Sequence, residues 1–127
     1  MKGLRAASIL IGALVDKLLF LPAAVALVWI VGTDSLRFQL AALVVGSSAT
    51  CAGAYVGARH ARTRPLAHGI AVGVVALALS FARFLANTFA GPELGEAVHP
   101  LWWELVAWSL ALAAGAVGGG LASASPD

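Results

Sequence analysis

AASILIGALVDKLLFLPAAVALVWIV, residues 6 to 31, is an apolar run of 26 residues interrupted only by an adjacent acid and base, Asp16 and Lys17. A helix rises ~1.5 Å per residue and the hydrocarbon core of a bilayer is ~30 Å thick, so this run can cross a membrane with some tilt. An ionised side chain at the centre of such a helix costs ~2.5–3.5 kcal/mol on insertion scales. Asp16 and Lys17 therefore need partners, water or a route to the surface.

The rest of the chain repeats the theme. Of 127 residues, 61% are hydrophobic and 11% charged. A soluble domain carries ~25% charge, so too few charges are present to cover a water-facing surface. Further apolar runs cover 39–58, 66–87 and 101–121. Four spans with short connections predict one all-α domain, an antiparallel four-helix transmembrane bundle occupying the whole of 1–127. A cleaved signal peptide competes for the first run, with Lys2 and Arg5 ahead of it and Ala24-Val25-Ala26 as a cleavage site. Asp16 and Lys17 interrupt its apolar region, however, and the run continues past the site. A retained span is the expectation.

Charge distribution orients the bundle. Lys2 and Arg5 precede the first span, and Arg59, Arg62 and Arg64 separate the second from the third. The other two connections hold Arg37 with Asp34, Glu93 and Glu96. Lysine and arginine collect on the cytoplasmic side, so both termini are expected there, in a multi-pass protein of the inner membrane. This asymmetry accounts for the net charge of +2 without a nucleic-acid partner.

Small residues mark the faces that meet. Ser8, Gly12, Ala13, Asp16 and Ala23 share one side of the first span and turn Asp16 inward. Lys17 falls beside Leu10, Leu14 and Leu21, from where it is expected to snorkel toward the inner headgroups. Pro22 removes one backbone hydrogen bond and predicts a kink. Ala49, Gly53 and Gly57 form a ridge on the second span, Gly69 and Gly73 on the third, and Ala107, Ala111, Gly115 and Gly119 on the fourth. AGAYVG at 52–57 also echoes AGAVGG at 114–119, as composition this simple can do by chance. A true repeat would relate two hairpins of like orientation.

Two polar positions lie near the outer ends. Ser80, Arg83 and Asn87 form a stripe on the third span, and the fourth opens with Trp102, Trp103 and Glu104. An Arg83–Glu104 ion pair is the simplest way to house both charges, with Trp108 stacked on the guanidinium. The alternative is an outer pocket in which Arg83 binds an anion beside Asn87, Trp103 and Trp108. Trp29 should share the interfacial depth of Trp102 and Trp103. For Asp16 the candidate partners are Thr50, Tyr55, His68 or Lys17 of a neighbouring copy.

Nothing in the chain reads as an enzyme. Cys51 stands alone, so no CxxC pair or intrachain disulfide is available. His60 and His68 have no nearby carboxylate or cysteine to complete a metal site. The glycines follow no strand and precede no GK[ST], which excludes a phosphate loop. No catalytic residue, cofactor or metal is therefore expected.

IGALVD at 11–16, GAYVGAR at 53–59, PLAHG at 65–69, LWW at 101–103 and GGGLA at 118–122 together resemble small uncharacterised bacterial four-span membrane proteins. The resemblance implies a four-helix fold and singles out Asp16, and it supplies no substrate. Two functions are compatible with all of this. One is a structural or accessory subunit that self-associates or packs on a larger membrane complex, its charges satisfied internally. The other is a small homo-oligomeric channel or transporter whose site uses Asp16.

Overall fold

A computed structural model describes residues 3–32, 36–90 and 101–124, with the side chains of Asn87 and Ala90 excepted. These residues form four helices: α1 (Ala6–Val31), α2 (Leu36–Ala61), α3 (Pro65–Ala90) and α4 (Leu101–Ala124). At 24 to 26 residues each, all four are long and apolar enough to cross a membrane. The chain is all-α as expected.

The helices outrun the apolar pattern. α2 begins at Leu36 and ends at Ala61, beyond both edges of the 39–58 run, and α3 carries on through Thr88 to Ala90. Thr88 Oγ1 donates to the Phe84 carbonyl at 2.8 Å, as a helical hydroxyl does when its own turn is intact. α1 passes Pro22 without interruption. Asp34, Glu93 and Glu96 lie outside the described residues.

α2 and α3 touch each other and both outer helices, while α1 and α4 make no contact among the described residues. The cross-section is thus a diamond with α2 and α3 on its short diagonal. Glycine sets the closest approaches. A methyl group placed on Gly57 would lie 2.7 Å from the Ser8 carbonyl oxygen, and one on Gly12 would lie 2.7 Å from the Gly53 carbonyl. Real side-chain carbons do not approach backbone so closely, so α1 and α2 meet at this distance only because these positions are bare. α3 and α4 repeat the arrangement: a methyl on Gly119 would lie 2.8 Å from the Pro65 carbonyl, and one on Gly115 2.6 Å from that of Gly69. Ser8, Gly12 and Asp16 in the first seam therefore correspond to Pro65, Gly69 and Gly73 in the second. The echo between 52–57 and 114–119 has a packing counterpart, since Gly53 and Gly57 occupy the places of Gly115 and Gly119.

The turn between α2 and α3 closes the end of the bundle that holds these seams. Arg62 and Arg64 both adopt left-handed backbone, at φ 61° and 46°. That conformation costs an L-residue ~1–2 kcal/mol. It is offset by capping: the Arg62 N–H donates to the Ala58 carbonyl at 3.3 Å, and the Arg64 carbonyl accepts from the His68 N–H at 3.1 Å.

Candidate functional site

The buried faces of the four helices carry few polar groups, and those fall in three places. The first is the turn end. His68 is fully buried. Its Nε2 accepts a hydrogen bond from the Arg5 backbone N–H at 2.9 Å, and its Nδ1 lies 3.0 Å from the Arg64 carbonyl oxygen. A ring nitrogen that accepts must hold a lone pair, so the proton sits on Nδ1 and donates to Arg64. His68 thereby caps α1, whose N-cap residue Arg5 makes no side-chain capping bond of its own. Ser8 Oγ and His60 Nδ1, 2.9 Å apart, add a second tie between α1 and α2. From sequence, both histidines are weighed for a metal site and His68 also as a partner of Asp16. Their actual role depends on which carbonyl and which helix start the turn brings to them.

The second place is Asp16, 2% exposed. Thr50 Oγ1 donates to its Oδ2 at 3.1 Å and also lies 3.0 Å from the Gly46 carbonyl oxygen. Of the four partners considered from sequence, Thr50 is the one in hydrogen-bond contact. His68 is engaged at the turn, and Tyr55 lies under the guanidinium of Arg59, 6.0 Å from ring centroid to Cζ. Lys17 of the same chain is the cation acting on the carboxylate. Its Nζ lies 5.6 Å from the Phe20 ring centroid, one turn farther along α1. The ammonium is thus engaged by an aromatic face of its own helix as well as by the Asp16 carboxylate.

The third place is the far end. Glu104 is 3% exposed, with its Oε2 buried and without a hydrogen-bond partner among the described residues. Arg83 on the neighbouring helix is the cation that acts on it through space. Trp108 packs edge-on against Phe81 and Phe84, at 5.5 and 5.7 Å between centroids, and not on the guanidinium. Trp103 points into the bundle, its indole N–H reaching the Gln39 carbonyl at 3.4 Å. Trp102 and Trp29 face outward.

Between the second and third places lies a cavity of 360 Å³. α1 lines it with Asp16, Lys17 and Phe20, and α3 with Ala76, Leu79, Ser80 and Arg83. α2 contributes Ala42, Leu43, Gly46, Ser47 and Thr50, and α4 contributes Trp103, Ala107 and Ala111. Of the residues singled out from sequence, Asp16, Lys17, Arg83 and Trp103 come together here. Glu104 and Trp108 stand behind the wall, and the side chain of Asn87 lies outside the described set.

Depth follows from helix rise. Gly12 is level with Val72, against whose Cγ2 its missing methyl would press. Asp16 lies four residues beyond that level and Arg83 eleven, a difference of ~10 Å along the bundle. The two side chains thus start from levels ~10 Å apart, and no ion pair joins them among the described residues. α1 and α3 touch at Arg5–His68 and Gly12–Val72, toward the turn end. Farther along, both helices line the cavity.

No protein-family model, curated protein or solved structure matches this chain.

Proposed function

We propose that this chain is a multi-pass protein of the cytoplasmic membrane that binds a small solute inside its helix bundle and carries it across. In this reading the bundle is antiparallel and both termini are cytoplasmic, which the five cations Lys2, Arg5, Arg59, Arg62 and Arg64 support against Arg37 alone in the other connections. The single observation that carries it is the 360 Å³ cavity faced by Asp16, Lys17 and Arg83. A purely structural bundle has every reason to pair or exclude such groups, because each costs free energy in hydrocarbon. Spending three of them on the wall of a void favours a site for a guest.

Asp16 is the group suited to carry a proton or bind a cation, since it alone among the lining residues is a carboxylate. Purified protein in proteoliposomes tests this. Wild type should give a proton flux after a pH jump, and Asp16→Asn should abolish it while leaving assembly intact, because the amide keeps a donor and an acceptor for Thr50. Flux unchanged in Asp16→Asn, or none from wild type, would return the protein to the accessory-subunit reading. That second reading has its own support in the outer half of α1, where Val25, Trp29 and Ile30 face outward, Trp29 at 86% exposure. Such a face suits lipid or another copy of the chain, and the oligomeric state in nanodiscs decides between these.

A further inference from the structure

We infer that the guest of this cavity is an amphipathic monoanion, an apolar chain ending in a carboxylate or a group of similar charge, held with its head at Arg83. The inference rests on the solute-binding reading above and names its ligand class. Three observations carry it.

Charge comes first. The lining presents two cations, Lys17 and Arg83, and one acid, Asp16. Asp16 is already hydrogen-bonded by Thr50, and the neighbouring Lys17 acts on it through space. Glu104, on which Arg83 acts through space, lies outside the lining and is not hydrogen-bonded to the guanidinium among the described residues. Neither Lys17 nor Arg83 makes an ion pair or side-chain hydrogen bond among the described residues. A guanidinium has five donors in a planar fork, and one that faces a low-dielectric void without an acceptor is matched by a bidentate anion. Lys17 is partly engaged by the face of Phe20, so Arg83 is the stronger claimant.

Shape comes second. The Asp16 and Arg83 levels are ~10 Å apart by helix rise, and the lining between them is mostly apolar, with Phe20, Leu43, Ala76, Leu79 and Ala107 beside the hydroxyls of Ser47 and Ser80, the former bonded to the Leu43 carbonyl. A fully hydrated inorganic ion would gain nothing from that wall, whereas a hydrocarbon body of medium length fills it.

The third observation is the polarity at the other end. Asp16 and Thr50 close the floor with a carboxyl and a hydroxyl already bonded to each other. Lys17, the cation at that level, lies beside that carboxylate and over the Phe20 ring, so Arg83 is the cation better placed to take the anionic head. Trp103 beside Arg83 supplies an aromatic face against the first carbons of the chain.

The probes are decanoate, decanol and decyltrimethylammonium, which share a tail and differ in head charge. Equilibrium binding of each to the full chain in lipid nanodiscs, with empty nanodiscs subtracted, reads the preference. Decanoate should saturate one site and bind at least about tenfold more tightly than either of the others, the size of a charge-assisted hydrogen bond. Arg83→Gln should remove that preference and leave decanol binding unchanged, and Arg83→Lys should retain part of it. Should Arg83→Gln fail to assemble, Arg83→Lys and Lys17→Gln carry the comparison, with the larger loss expected at position 83. Equal saturable binding of decanol, tighter binding of decyltrimethylammonium, or an Arg83→Gln variant that keeps the preference would each overturn the anion assignment and leave the cavity a binding site. No saturable binding by any probe would overturn the assignment as well, and the Asp16 flux measurement then decides the transport reading on separate ground.

Discussion

The α1–α2 and α3–α4 hairpins use one solution for packing and differ at one position within it. Both seams place bare glycines against carbonyls, Gly57 on Ser8 and Gly119 on Pro65, Gly53 on Gly12 and Gly115 on Gly69. One turn farther on, the first seam has Asp16 against Gly53, and the second has Gly73 against Gly115. The carboxylate can be accommodated because Thr50 stands opposite with a hydroxyl. Counting from Gly53 and Gly115, the position equivalent to Thr50 is Leu112, which has none. Packing is thus common to both hairpins, and polar chemistry belongs to one.

The largest expected effect breaks the common part. Gly53→Val and Gly115→Val each force a branched side chain into a backbone contact, and each should cost about 3 kcal/mol or more, read as loss of monodisperse protein or a large drop in Tm. Tolerance of one and not the other would show that the seams are not equivalent. Next comes transplantation of the charge. Gly73→Asp would set a carboxylate against the Ala111 carbonyl with no hydroxyl opposite, and should destabilise by several kcal/mol, on the order of 3–5. Asp16→Asn should stay within about 1 kcal/mol of wild type, since its donor and acceptor both remain useful. A mild Gly73→Asp would mean that Thr50 is not what makes Asp16 tolerable.

Thr50→Val tests that partner directly. It keeps the shape, removes the hydroxyl and should lower stability by about 1–3 kcal/mol, with Thr50→Ser recovering most of it. Combined with Asp16→Leu, the loss should fall well short of the sum of the single changes, because the two side chains share one bond. The smallest effect lies just beside the second seam. A methyl on Gly120 would touch nothing within 4 Å. Gly120→Ala should therefore stabilise the helix by about 0.5–1 kcal/mol, in contrast to its neighbour Gly119.

Much of the fold was written in hydrophobicity. The four apolar runs, the inward turn of Asp16 with Ser8 and Gly12, and the glycine ridges are local properties of a helix, fixed by a period of 3.6 residues and by side-chain volume. What periodicity cannot contain is the angle at which helices part. The small-residue stripe of α4 runs unbroken from Ala107 to Gly119 in sequence. Gly115 and Gly119 meet backbone and the Ala111 carbonyl still packs on Gly73, whereas Ala107 lines a void, because α4 and its neighbours are in contact at one end of that stripe and separated at the other. Asp16 and Arg83 both line that void from levels ~10 Å apart, and Lys17 lies over the Phe20 ring beside it. The capping of α1 by His68 likewise joins residues 63 positions apart. Sequence alone determined which faces are buried and which charges must be housed. Only the tertiary structure decided what they face, since a contact between helices depends on the distance between their axes and not on the spacing within either one.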